Sequence, residues 1–157
     1  MEHRIHLIVS NEDPRAISVV ALFEALYAEE ALAGSPAVLA AEGGERWLKR
    51  IGAGLERFGR LVLAEVDGVI VGFAHGALWL PDTHLAGGPM GTITHVYVLP
   101  AHRRSGIARA MLLPLNDWFA SRHVSRVELS VVAGNGAALE FWRSQGFEVR
   151  IHQLMRS

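Results

Sequence analysis

The stretch Ile93 to Arg109, ITHVYVLPAHRRSGIAR, decides how the rest of the chain is read. Ile93 to Leu99 reads as a strand, Pro100 to Ser105 as a short basic turn, and Gly106 as the residue that opens a helix. A strand feeding a helix through such a turn leaves several backbone N–H groups without partners and pointing one way. Together with the positive end of the helix dipole they form an anion site. Arg103 and Arg104 bring charge to its rim. Gly106 lets an anion reach the backbone with no Cβ in the way, and Ala108 does nearly the same further in. The pattern is R-x-x-G-x-A, from Arg103 to Ala108. It is neither the P-loop G-x-x-x-x-G-K-S/T nor a G-x-G-x-x-G dinucleotide fingerprint, and neither of those occurs in the chain.

Working outward, the chain on either side is that of one ordinary globular domain, residues 1–157. It is 50% apolar and 20% charged, with a formal net charge of -1. Nothing in that balance argues for nucleic acid, and the pair Arg103-Arg104 is too short to do so. The chain has no cysteine, which excludes disulfides, thiolate catalysis and zinc–thiolate sites. The start, MEHRIHLIVS, lacks the basic head and long apolar run of a signal peptide, and no run approaches the roughly 18 apolar residues of a membrane span. A cytoplasmic protein is expected. Eight histidines suggest metal, but none falls in H-E-x-x-H or similar spacing, so no metal is expected.

Upstream, His3 to Val9 reads as a first strand. Asp13 before Pro14 is a helix start signal, and Val19, Leu22, Phe23 and Leu26 place one apolar face on a helix reaching about Ala28. Glu29 to Pro36 reads as a loop. A second helical stretch opens at Ser35-Pro36, breaks or bends at Gly43-Gly44, and resumes through Trp47, Leu48, Ile51 and Leu55. Asp67-Gly68 between Leu61–Val66 and Val69–Leu80 is a strong hairpin signal. His75 is expected in a strand, and Trp79 ends a strand beside the loop Pro81 to Gly91.

Downstream, Ser105 to Ala120 reads as a helix burying Ile107, Met111, Leu115 and Trp118, bent by Pro114. Arg126 to Val132 reads as a strand and Asn135 to Ser144 as a helix closed by Gly146. Phe147 to Met155, including His152, reads as a last strand or strand pair. The order β-α-α-β-β-β-α-β-α-β predicts an α/β (α+β) fold: a mixed sheet with helices on both faces. The helix between the fourth and fifth strands makes those two parallel.

The Arg103–Ala108 pattern resembles the Q/R-x-x-G-x-G/A loop with which the GNAT superfamily of acetyl-CoA-dependent N-acetyltransferases binds the pyrophosphate of coenzyme A. A second stretch strengthens the resemblance. Glu128 to Phe147, ELSVVAGNGAALEFWRSQGF, carries that family's N-x-x-A, aromatic pair and G-F at Asn135, Ala138, Phe141, Trp142, Gly146 and Phe147. The resemblance implies the GNAT fold, a central, mostly antiparallel sheet splayed between strands 4 and 5, with pantetheine in the gap as an added strand. By the same resemblance, Val96 and Val98 offer backbone groups to pantetheine. The amides of Arg104, Ser105, Gly106, Ile107 and Ala108, beside Arg103, hold the pyrophosphate, and Asn135 lies near the thioester. The family tendency to homodimerise comes with it.

The implied reaction is acetyl transfer from acetyl-CoA to a primary amine, on a small molecule or a peptide, by direct attack. It needs a group to take the amine proton, a donor for the oxyanion and a route for the thiolate. A backbone N–H near Val98 is the expected oxyanion donor. His95 stands on the fourth strand where the family often places a carboxylate, and it is the candidate base. A histidine near pKa 6.5 is half neutral at that pH. The other reading, a hydrogen-bonded strand histidine without chemistry, stays open. Many family members have Tyr where this chain has Trp142, and indole N–H is no acid at neutral pH. Trp142 is expected to wall the pantetheine arm. Tyr97, on the face of His95, is either a substitute acid or a packing residue. Glu29, Glu30 and Asp82 are placed in loops bordering the acceptor site. Two alternatives remain: an acetyl-CoA-binding sensor without turnover, and a transferase of another acyl-CoA.

Overall fold

A computed structural model describes residues 2–157. Its sheet follows the chain in order, β1-β2-β3-β4-β5. The strands are β1 (Arg4–Ile8), β2 (Gly59–Val66), β3 (Val69–Trp79), β4 (Met90–Val98) and β5 (Arg126–Glu128). The first four pair antiparallel, and β5 lies parallel to β4. Asp67 (φ 50°) and Gly68 (φ 79°) close the β2–β3 hairpin, both left-handed as a two-residue type I′ turn requires.

Two helices cover each face. α1 (Ser18–Leu32) and α2 (Gly43–Gly52) lie on one side, where Val19, Leu22 and Phe23 of α1 and Leu48 of α2 close over Leu61, Leu63 and Phe73. α3 (Ile107–Ser121) and α4 (Gly136–Ser144) lie on the other, where Ile107, Met111, Leu115, Trp118 and Trp142 bury Val62, Ala64 and Val71. α3 runs through Pro114 without interruption, and the Pro114 carbonyl accepts a hydrogen bond from Arg60 Nη1 at 3.3 Å.

Several elements differ from the sequence reading. Asp13 does not cap α1. Its carboxylate is spent on Arg15, at 2.9 Å from the backbone N, 3.0 Å from Nε and 2.7 Å from Nη2. Single turns bridge from Asp13 to the helix proper at Ser18. α1 then runs on to Leu32, so Glu29 and Glu30 are helical, not in a loop. α2 starts at Gly43 rather than Ser35. The glycines there are a contact, not a break: a Cβ on Gly44 would stand 2.9 Å from Val20 Cγ1, so only glycine lets α2 reach α1 this closely. β5 stops at Glu128, short of the expected Val132, and the segment beyond Phe147 forms no strand among the described residues. Ile151, His152 and Leu154 are exposed in it.

Candidate active site

Local backbone geometry makes an amide cradle where β4 meets α3. Leu99 donates to Val71 O at 2.8 Å and ends the sheet, and Pro100–His102 form one 3-10 turn. Arg104 (φ 60°) and Gly106 (φ 82°) then take left-handed conformations that turn the chain into α3. The N–H groups of Arg104, Ser105, Gly106, Ile107 and Ala108 meet no acceptor among the described residues, and the first donor satisfied is Ala110, to Gly106 O at 3.0 Å. Among the described residues no side chain caps α3 and its first turn carries no acid, so none of them competes for an incoming anion.

Beside the cradle the sheet opens. β5 pairs with β4 only at Met90, Gly91 and Thr92. Beyond them Leu129 to Val132 diverges from β4 and leaves a slot of about 90 Å³ bordered by Thr94, His95, Val96, Asn135 and Trp142. The free edge of β4 beyond Thr92 therefore has no strand on that side. Val98 O already accepts from Arg103 Nε at 2.8 Å, and the rest of that guanidinium grips Glu29 at 2.7 and 2.6 Å. Asn135 Oδ1 caps α4 by accepting from Ala138 N at 3.1 Å, and Asn135 borders the slot.

A bulge in β4 builds the centre between the slot and α1. His75 pairs with His95 while Gly76 pairs with Ile93, so Thr94 is the extra residue. Thr94 Oγ1 donates to His75 O at 3.1 Å and stands 2.6 Å from His75 Nδ1 and 2.9 Å from His95 Nδ1. A hydroxyl has one proton to give, so both Nδ1 atoms carry the proton and donate to it. The tautomer of His95 is thereby set: Nε2 holds the lone pair, and Tyr27 Oη donates to it at 3.3 Å. Phe23, Trp47 and Phe73 surround the imidazole with ring centroids 4.9, 5.1 and 6.4 Å away. Burial, aided by Arg50, pushes His95 down to about 4, and burial, with His95 beside it, pushes His75 down to about 3. His95 is therefore neutral throughout the physiological range instead of half neutral near 6.5.

On the far side of Tyr27 lies an open groove of about 420 Å³ between α1, residues 37–40 and α2. Helix α1 gives a wall to each cavity. Leu26 and Glu30 face the slot, while Phe23 and Tyr27 face the groove. The Tyr27–His95 hydrogen bond joins them.

This architecture is shared with known proteins. A family model described as Acetyltransferase (GNAT) family matches residues 21–147. The chain belongs to the GNAT acetyltransferase family. An aminoglycoside acetyltransferase from an uncultured soil metagenomic sample, solved with sisomicin, is 18% identical, covers 99% of this chain and 95% of its own, and superposes with a TM-score of 0.72. An aminoglycoside N-acetyltransferase solved with CoA is 16% identical over 99% and 94%, with a TM-score of 0.77. A ribosomal-protein-alanine N-acetyltransferase from Brucella melitensis biovar Abortus 2308 is 20% identical over 99% and 100%, with a TM-score of 0.66. No curated protein matches the chain significantly in sequence.

Within this acetyltransferase the structure gathers some of the residues singled out in the sequence and separates others. Arg104 to Ala108 form the cradle, and His95, Val96, Asn135 and Trp142 border the slot. Trp142 packs edge-on between Phe141 and Phe147. Tyr97 shares the His95 face but is buried under Arg103, whose guanidinium lies 5.3 Å from its ring, and burial beside Glu29 raises its pKa. Glu29 is committed to Arg103, which holds its carboxyl below the usual range. Glu30 borders the slot with its pKa raised by burial and by Glu29. Trp79 is tied to Thr92 Oγ1 at 2.9 Å and lines neither the slot nor the groove. The sequence reading gave no role at the site to Tyr27, Thr94 or Trp47, the last named only on the apolar face of a helix. Tyr27 lies one turn beyond Phe23, so the period of α1 pointed to it; no local pattern announces the bulge at Thr94.

Proposed function

We propose that the protein transfers the acetyl group of acetyl-CoA to a primary amine by direct attack, with His95 and Tyr27 removing the amine proton. The observation that carries this reading is the unmet row of amides from Arg104 to Ala108 next to the open edge of β4. That row suits a diphosphate, and the slot beside it suits an extended arm ending at His95 and Asn135.

Tyr27 Oη stands between the groove and His95 Nε2. A proton leaving the nitrogen passes to the Tyr27 oxygen as the Tyr27 proton moves to His95 Nε2, so the positive charge of the nitrogen passes to the imidazole, which releases the proton to solvent after the thiolate has left. A base with pKa near 4 is poor for an ammonium ion. It is adequate after attack, when the nitrogen is bonded to the tetrahedral carbon and gives up its proton far more readily. Arg50, which raises the local positive potential, favours a neutral amine before attack. The thiolate leaves unassisted, since neither Trp142 nor the buried Tyr97 is placed as an acid at neutral pH.

The test is thiol release from acetyl-CoA with an amine panel between pH 6 and 9, for the parent and His95→Ala. In the variant kcat is expected to fall by about 100-fold with coenzyme A binding kept. Rates within a few-fold of the parent at every pH would remove His95 from the chemistry. Binding of acetyl-CoA with no release on any amine would favour a sensor, and faster release with longer acyl chains a different acyl donor.

A further inference from the structure

The groove beyond Tyr27 is built for a particular kind of amine. One face of α2 lines it, with Gly43, Arg46, Trp47 and Arg50 at i, i+3, i+4 and i+7. Its apolar wall is Phe23 stacked on Trp47 at 4.5 Å, with the Tyr27 ring 4.9 Å from Phe23. Its charge is one-sided. Among the described residues Arg46 and Arg50 line it and no Asp or Glu does. Neither arginine has an ion pair among the described residues, whereas Arg15, Arg60 and Arg103 each hold a carboxylate.

The field across the groove also has a direction. The positive charge of Arg50 reaches Tyr27, His75 and His95, while Glu30, at the slot, acts on Tyr27 with the opposite sign. The Tyr27 hydroxyl thus lies between an acid on the slot side and a cation on the groove side. A substrate whose amine sits by Tyr27 and His95 would lay the rest of its body against Trp47 and Arg50. Glu29, the acid that would have drawn a cationic body, is held by Arg103 at 2.7 and 2.6 Å.

We infer that the acceptor is a small primary amine that carries a carboxylate on an aromatic or apolar body, with Arg50 and Arg46 meeting the carboxylate and Phe23 and Trp47 the body. The inference rests on the acetyl-transfer reading and narrows it to one substrate class. A polycationic sugar fits poorly, because its further ammonium groups would face two arginines with no acid in the lining. The size agrees: about 420 Å³ lies in the range of small-molecule sites.

Thiol release from acetyl-CoA is measured with phenylalanine, phenethylamine and neamine as acceptors, for the parent and for Arg50→Gln. A carboxylate held by arginine is expected to give phenylalanine a kcat/KM about 30-fold above that of phenethylamine, with neamine lowest. Arg50→Gln should bring the first ratio toward one. A ratio below about threefold in the parent, neamine as the best acceptor, or a ratio unmoved in Arg50→Gln would each overturn the assignment. Calorimetry of the CoA-loaded protein with N-acetylphenylalanine and N-acetylphenethylamine separates the two layers. Preference for the carboxylate without thiol release on any amine upholds the groove's specificity and counts against transfer. Equal binding of the two overturns the specificity even where transfer occurs.

Discussion

Replacing Gly106 with aspartate puts one negative charge into the amide cradle and changes little else. The position is left-handed, with φ 82°, and a Cβ there meets nothing within 4 Å. The cost to folding is conformational only, about 1–2 kcal/mol for a residue with a Cβ, and aspartate tolerates this region better than most. Part of it is offset, because α3 has neither a capping side chain nor an acid in its first turn, and a carboxylate at the helix start contributes about 0.3–1 kcal/mol. Net stability should fall by about 0–2 kcal/mol, a few degrees in Tm. Binding should change far more. A carboxylate about 5 Å from one phosphate charge, at an effective dielectric of about 20, is repelled by about 3 kcal/mol, or about two orders of magnitude in Kd. Gly106→Ala carries the same backbone strain without the charge, and should weaken binding by less than about tenfold. Titration calorimetry with coenzyme A at low salt reads all three proteins, and the aspartate penalty should shrink as salt is added. An aspartate variant binding within about threefold of the parent would refute the cradle. An alanine variant as weak as the aspartate one would show that strain, not charge, had been measured.

Three further outcomes are expected. His75 has its pKa lowered to about 3 from an unfolded value near 6.5, so its contribution to stability is complete above pH 6.5 and is lost as pH falls toward 3. Urea melts should show about 2 kcal/mol lost from this residue at pH 5 relative to pH 8, and a shallower pH slope in His75→Gln; an equal slope would mean that His75 titrates normally. Tyr27→Phe removes the hydroxyl on His95 Nε2 and should lower kcat by about tenfold or more with coenzyme A affinity kept, and stopped-flow rates equal to the parent's would dispose of the relay. Gly91→Ala drives a Cβ to 2.7 Å from Phe119 Cε1, and an unyielding ring should make it about 1–3 kcal/mol less stable. A urea midpoint matching the parent's would argue that α3 does not press on β4 there.

Much of the fold was legible because the signals were local. The Asp67-Gly68 turn, the α1 face at Val19, Leu22 and Phe23, and the parallel placement of β5 come from turn chemistry, helical period and the need for a crossover helix. Local signals misled where partners distant in sequence or competing neighbours overruled them. Asp13 looked like a cap until Arg15 took its carboxylate, and Gly43-Gly44 looked like a break until Val20 gave it a reason. The segment from Phe147 to Met155, read as a strand or strand pair, forms none among the described residues.

The candidate site divides the same way. The chain alone determined the amide row from Arg104 to Ala108, because a run of N–H groups at a helix start is a property of consecutive residues. Only the folded arrangement decided that His95 would be neutral with its lone pair toward Tyr27. It also decided that Glu29 would be spent on Arg103, and that two arginines from α2 would face the groove. Hydrogen-bond direction, burial and field depend on which side chains meet across the sheet, and spacing along one strand carries no record of that.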